Sequence, residues 1–64
     1  MSDNVKASAA CRLAVDDLGQ AMDALTRIEA GRAVDVNRSF ARNCVDAAID
    51  RCYEAIRALE EELK

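Results

Sequence analysis

The sequence predicts an all-α protein, an antiparallel two-helix hairpin that assembles with itself into a homodimeric four-helix bundle or a larger oligomer. Three observations predict this. The ladder Ala7, Cys11, Ala14, Leu18, Ala21, Leu25, Ile28 steps by four and three residues and so forms one continuous stripe on a helix. A second ladder, Ala41, Val45, Ala48, Cys52, Ala55, Leu59, repeats the pattern after an interruption at Gly31. The composition is also helical: 52% of the 64 residues are hydrophobic, with alanine prominent, no proline, and Phe40 and Tyr53 as the only aromatics.

Helix 1 is expected over about residues 4–30. Ser2, Asp3 and Asn4 all suit an N-cap, where a short polar side chain accepts an orphan backbone N–H. Gly19 is the one interruption; it either permits close approach of a neighbouring helix or is simply tolerated. Gly31 is the natural stop, because glycine adopts the left-handed conformation that ends helices without strain. Arg27 and Arg32 suit the negative end of the helix dipole.

The connection, about residues 31–35, is short enough to fold two helices back antiparallel. Asp35 offers the cap for helix 2, expected over about 36–63, with Cys44, Ile49, Ile56 and Leu63 widening its stripe. If the chain reverses near Ala33, facing residues have numbers that sum to about 66. The pairs are then Leu25 with Ala41, Ala21 with Val45, Leu18 with Ala48, Ala14 with Cys52, Cys11 with Ala55, and Ala7 with Leu59. Nearly every layer sets a small residue against a larger one, as close packing requires.

The whole chain, residues 1–64, reads as a single domain, near the size at which one core supplies little net stability. Leu13, Val15, Met22, Val36, Phe40, Ile49, Ile56 and Leu63 extend beyond the shared seam, more apolar surface than two helices cover. Self-association is the simplest closure. A hetero-complex would serve as well.

No catalytic constellation is visible, so the expected role is non-catalytic, with no cofactor and no metal. Histidine is absent, and Ser8, Ser39 and Thr26 have no evident base. Cys11, Cys44 and Cys52 form no CxxC and read as small core residues in a reducing, cytoplasmic setting, with redox sensing as the alternative. Asp46, Asp50 and Glu54 share a helix face but lie off the apolar ladder, so they read as a solvated face that Arg51, Arg57 and Lys64 can pair with. No apolar run is long enough for a membrane span, and the residues after Met1 do not read as a signal peptide. A net charge of −3 and a sequence pI near 4.7 argue against coating of RNA or DNA.

Charge is nonetheless polarised along the hairpin. Arg32, Arg38 and Arg42, with Asn37, Ser39 and Asn43, cluster at the tip and the start of helix 2; Asp3 and Glu60, Glu61, Glu62 lie at the other end. Two readings follow. In one, an antiparallel dimer sets the arginines of one tip against the partner's acidic termini. In the other, the tip binds phosphate, with forked bonds from Arg38 and Arg42 while Asn37, Ser39 and Asn43 contact polar groups of a small ligand.

The run Arg38-Ser39-Phe40-Ala41, followed by Val45-Asp46, Ala48-Ile49 and Ala55-Ile56, resembles the hairpin segment of phage proteins that sequester the cyclic oligonucleotide signals of bacterial immunity. The resemblance covers about a third of the chain. It implies an all-helical oligomer that binds cyclic di- or trinucleotides between subunits, with Arg38 and Ser39 on phosphates and Asn43 nearby. In length, two-helix layout and the layering of Ala14, Leu18, Ala21 and Leu25, the chain is also similar to the Rop family of plasmid RNA-binding proteins. That family binds RNA through a basic first helix, whereas helix 1 here sets Asp16, Asp17 and Asp23 against Lys6, Arg12 and Arg27. The expected function is therefore sequestration of a phosphorylated small ligand, with a protein-interaction bundle as the alternative and RNA regulation third.

Overall fold

The computed structural model describes the backbone of residues 3–62 and the side-chain exposure of residues 4–61. The cap candidate Ser2 and the stripe residue Leu63 lie outside the described residues. Two helices, α1 (Asp3–Glu29) and α2 (Val34–Glu62), account for nearly all of it, with no strand among the described residues. They fold back on each other as a rod whose Cα atoms span 49 × 13 × 11 Å.

The reversal is built from backbone geometry at two positions. Gly31 has φ 75°, and its N–H donates to the Ile28 carbonyl at 2.9 Å while the Arg32 N–H donates to the Arg27 carbonyl at 2.9 Å. This is the Schellman closure, which satisfies two carbonyls that a helix C-terminus leaves open. Ala33 then takes φ 42°, a left-handed conformation without glycine's freedom, and its carbonyl accepts the first α2 bond from the Asn37 N–H at 2.9 Å. Because α2 opens at Val34, Asp35 lies inside its first turn and is not the cap. The carboxylate still sits at the positive end of the helix.

The seam differs from the sequence expectation in an orderly way. Its buried apolar residues are Ala7, Ala10, Ala14, Ala21 and Ala24 on α1 and Ala41, Cys44, Ala48 and Ala55 on α2. In every expected pair the alanine is correct and its larger partner is replaced by the residue just before it. Ala24 stands in for Leu25, Cys44 for Val45, Asp17 for Leu18, Arg51 for Cys52, Ala10 for Cys11 and Ala58 for Leu59. The two packed clusters show the new register: Ala21 and Ala24 with Ala41 and Cys44, and Ala7 and Ala10 with Ala55 and Ala58.

The physical reason is closeness of approach. A seam lined by methyl groups lets two backbones pack tightly along their length, whereas Leu18 or Leu25 between them would hold the helices apart. Cys11 and Cys52 are therefore exposed, and only Cys44 is the core thiol that the sequence suggested for all three. Gly19 faces open space, with nothing within 4 Å of where a Cβ would stand, so it is tolerated and serves no close contact in the hairpin.

Candidate functional site: an apolar face and an arginine tip

A seam of alanines leaves the large side chains outside it. In heptad terms the seam residues recur at alternating steps of three and four, and the positions flanking it on one side are Cys11, Val15, Leu18, Met22 and Leu25 of α1. The same flank of α2 carries Val45, Ile49, Cys52, Ile56 and Leu59. Antiparallel packing brings these two flanks to one side of the rod. None of the ten is buried: Leu18 is 45% exposed, Met22 62%, Ile49 47% and Ile56 49%. A shallow groove of about 370 Å³ runs between the helices here, lined by Leu18, Val45, Ile49, Cys52, Tyr53 and Ile56 among others.

The opposite side is mixed and mostly polar. A second depression there is lined by Lys6, Leu13, Glu54, Arg57 and Glu61 as well as alanines. Arg51 reaches Glu54 at 3.4 Å. Two polar residues of the central seam, Asp17 and Arg51, each keep one buried side-chain atom, Oδ2 and Nε, without a hydrogen-bond partner. They stand in neighbouring layers with opposite charge. A hydrocarbon seam interrupted in this way is less free to slide, since shifted registers would move these groups among alanines.

The five tip residues expected to bind a ligand separate into two kinds. Asn37 is only 7% exposed, and its side-chain amide donates to the Arg32 carbonyl at 2.9 Å and the Ala33 carbonyl at 3.1 Å. Its N–H groups hold the turn. Arg38, Ser39, Arg42 and Asn43 are exposed on the first turns of α2. Arg38 lies 3.7 Å from Asp35, a solvated pair worth little. Arg38 and Arg42, four residues apart, occupy the tip end of the apolar face itself. No side chain that the hairpin buries converges on them.

Among the described residues, no group of three or more His, Cys, Asp or Glu side chains is arranged to hold a metal ion. None of the described helices is long and apolar enough to cross a membrane. The turn role of Asn37 had a sequence signal, an Asn in the first turn of a helix after a glycine stop, but the same residue type also suits a ligand. The apolar face had none beyond excess apolar residues, because its position depends on which phase of the ladder forms the seam. In comparisons with known proteins, no family model, no curated protein and no solved structure matches this chain.

Proposed function

We propose that the protein is a non-catalytic binding module that works through the apolar face spanning both helices, and that it assembles with itself there into a larger helical bundle. The observation that carries this reading is the division of labour among side chains. The hairpin closes with alanines, one cysteine and one asparagine, and buries no large apolar side chain fully. Ten apolar or thiol side chains on a single side are left for something else to cover. A contiguous face of this kind is the mark of an interaction surface.

The test is native mass spectrometry of the wild-type chain beside Ile49→Glu and Met22→Glu, which place a charge on the face, and the double variant Arg38→Ala/Arg42→Ala. The wild type should be oligomeric, the two face variants monomeric and still helical, and the arginine variant assembled. A monomeric wild type, or an assembly indifferent to both glutamates, overturns the reading.

A second reading is favoured by one observation. Arg38 and Arg42 are exposed at helical spacing beside Ser39 and Asn43, at the end of the same face. In that reading the assembled protein sequesters a phosphorylated small molecule, a cyclic oligonucleotide in the case of the resemblance noted above, and Asn37 enters only by holding the turn. Calorimetric titration with cyclic di-GMP and with a cyclic trinucleotide tests it. Binding lost in Arg38→Ala/Arg42→Ala with assembly intact supports it; heat identical to dilution for both ligands counts against it.

A further inference from the structure

The offset between the sequence ladder and the observed seam has a geometric meaning. The two share Ala7, Ala14, Ala21 and Ile28 and differ at every second step by one residue, or 100° around the helix, so the centre of the apolar stripe is turned from the seam by about 50°. In a square four-helix bundle each helix has two neighbours, and the bundle axis lies about 45° from the direction of either. The stripe is thus aimed where the axis of a four-helix bundle would run, with the hairpin partner on one side of it and the exposed face on the other.

The surface area agrees. A compact folded monomer of 7.0 kDa exposes roughly 4,000 Å². This chain exposes 4867 Å², an excess of about 800 to 900 Å², close to what one partner contributes to a standard interface. Charge then decides the direction of docking. The tip carries Arg27, Arg32, Arg38 and Arg42 against Glu29 and Asp35, and the open end of α2 carries Glu54, Glu60 and Glu61 against Arg57, so the two ends differ in sign. Two copies lying tip to tip would set like charges side by side, while two lying tip to end would set opposite charges together.

We infer that the occupant of the apolar face is a second copy of this chain, docked antiparallel about a two-fold axis near Ile49, so that each arginine tip is completed by the acidic end of the other copy. The inference rests on the reading of the face as a self-association surface and adds its orientation and register. Residues equally distant from Ile49 along α2 then meet. Arg38 and Glu60, each eleven residues away or about 16 Å along the axis, come level across the interface. Arg42 comes level with the partner's Ile56, and Val45 with the partner's Tyr53. Arg38 in this arrangement is an orientation contact whose charge is answered by the partner's Glu60.

Disulfide trapping of the full chain tests the arrangement, in a background with Cys11, Cys44 and Cys52 replaced by alanine and with helicity and assembly checked first. Ile49→Cys should cross-link to itself on mild oxidation, and Arg42→Cys should cross-link to Ile56→Cys when the two proteins are mixed but not to itself. A tip-to-tip dimer instead places α1 of one copy against α2 of the other. Val15→Cys would then cross-link to Ile49→Cys, and Ile49→Cys would not cross-link to itself. That pattern, in a protein still dispersed by Ile49→Glu, overturns the antiparallel register and leaves the self-association reading standing. Charge exchange supplies a readout without cysteine: Arg38→Glu should weaken dimerisation several-fold, and adding Glu60→Arg should restore it to within about twofold. Failure of the second change to restore what the first removed also overturns the inference.

Discussion

Replacing Asn37 separates a turn-holding residue from a ligand-binding one. Its amide nitrogen is the donor in two bonds, to the Arg32 carbonyl at 2.9 Å and the Ala33 carbonyl at 3.1 Å, and the side chain is nearly buried. The Ala33 carbonyl keeps a second partner, the Asn37 backbone N–H at 2.9 Å. The main loss in Asn37→Ala is therefore the bond to Arg32, whose carbonyl can regain water at the exposed tip. At the usual net worth of one such bond, the expected cost is about 0.5–1.5 kcal/mol. For a domain of this size that lowers the unfolding midpoint by about 2–12 °C. Asn37→Asp is the sharper variant. The carboxylate fits the same space but cannot donate, and it puts a charge against two carbonyl oxygens. The helix dipole returns only about 0.3–1 kcal/mol, so Asp should cost at least as much as Ala. Urea unfolding followed by circular dichroism, at one fixed protein concentration, measures both. An Asn37→Asp variant as stable as the wild type would refute the turn-holding role.

Other expectations follow from the same geometry. Ala33→Gly should stabilise the hairpin by about 0.5–1 kcal/mol by relieving a left-handed backbone at a residue with a Cβ, while Gly31→Ala should destabilise it by about 1 kcal/mol. Nothing lies within 4 Å of a Cβ at Gly31, so the second effect is backbone strain alone; thermal melts of the two variants shifting in the same direction would contradict it. Ala24, wholly buried in the seam, should not tolerate leucine: Ala24→Leu forces the helices apart at a cost of about 1–3 kcal/mol, read by chemical denaturation. If Leu25 and not Ala24 faced α2, that substitution would be nearly neutral.

The two-helix architecture was legible in the sequence because its signals are local. Unbroken periodicity, a glycine stop at Gly31 and a four-residue connection leave little choice but a hairpin. The phase of the seam was not legible, for a physical reason. Hydropathy favours Leu18 over Asp17 and Cys52 over Arg51 as interior residues, yet the pair contact is decided by how closely two backbones approach, which favours Ala10, Ala24 and Ala58 over their larger neighbours. Once alanines set the phase at both ends of the rod, helical continuity carries Asp17 and Arg51 into the middle. If the chain self-associates as proposed, the ladder read from sequence is the summed signal of two contacts, one within the hairpin and one between copies. At the tip, residue type marked Asn37, Arg38, Ser39, Arg42 and Asn43 as a group. Only the hydrogen bonds of Asn37 distinguish the residue that builds the turn from the four presented at its surface.

In the proposed assembly the alanine seam is an incomplete core, and self-association through the apolar face completes it. The concentration dependence of the unfolding midpoint tests this most directly, because a folded state linked to assembly gains stability as protein concentration rises. Over about a hundredfold range of concentration the wild-type midpoint should climb by several degrees, and that of Ile49→Glu should be low and constant. A wild-type midpoint independent of concentration, together with a monomeric mass throughout, would show that the hairpin is sufficient alone and needs no second copy.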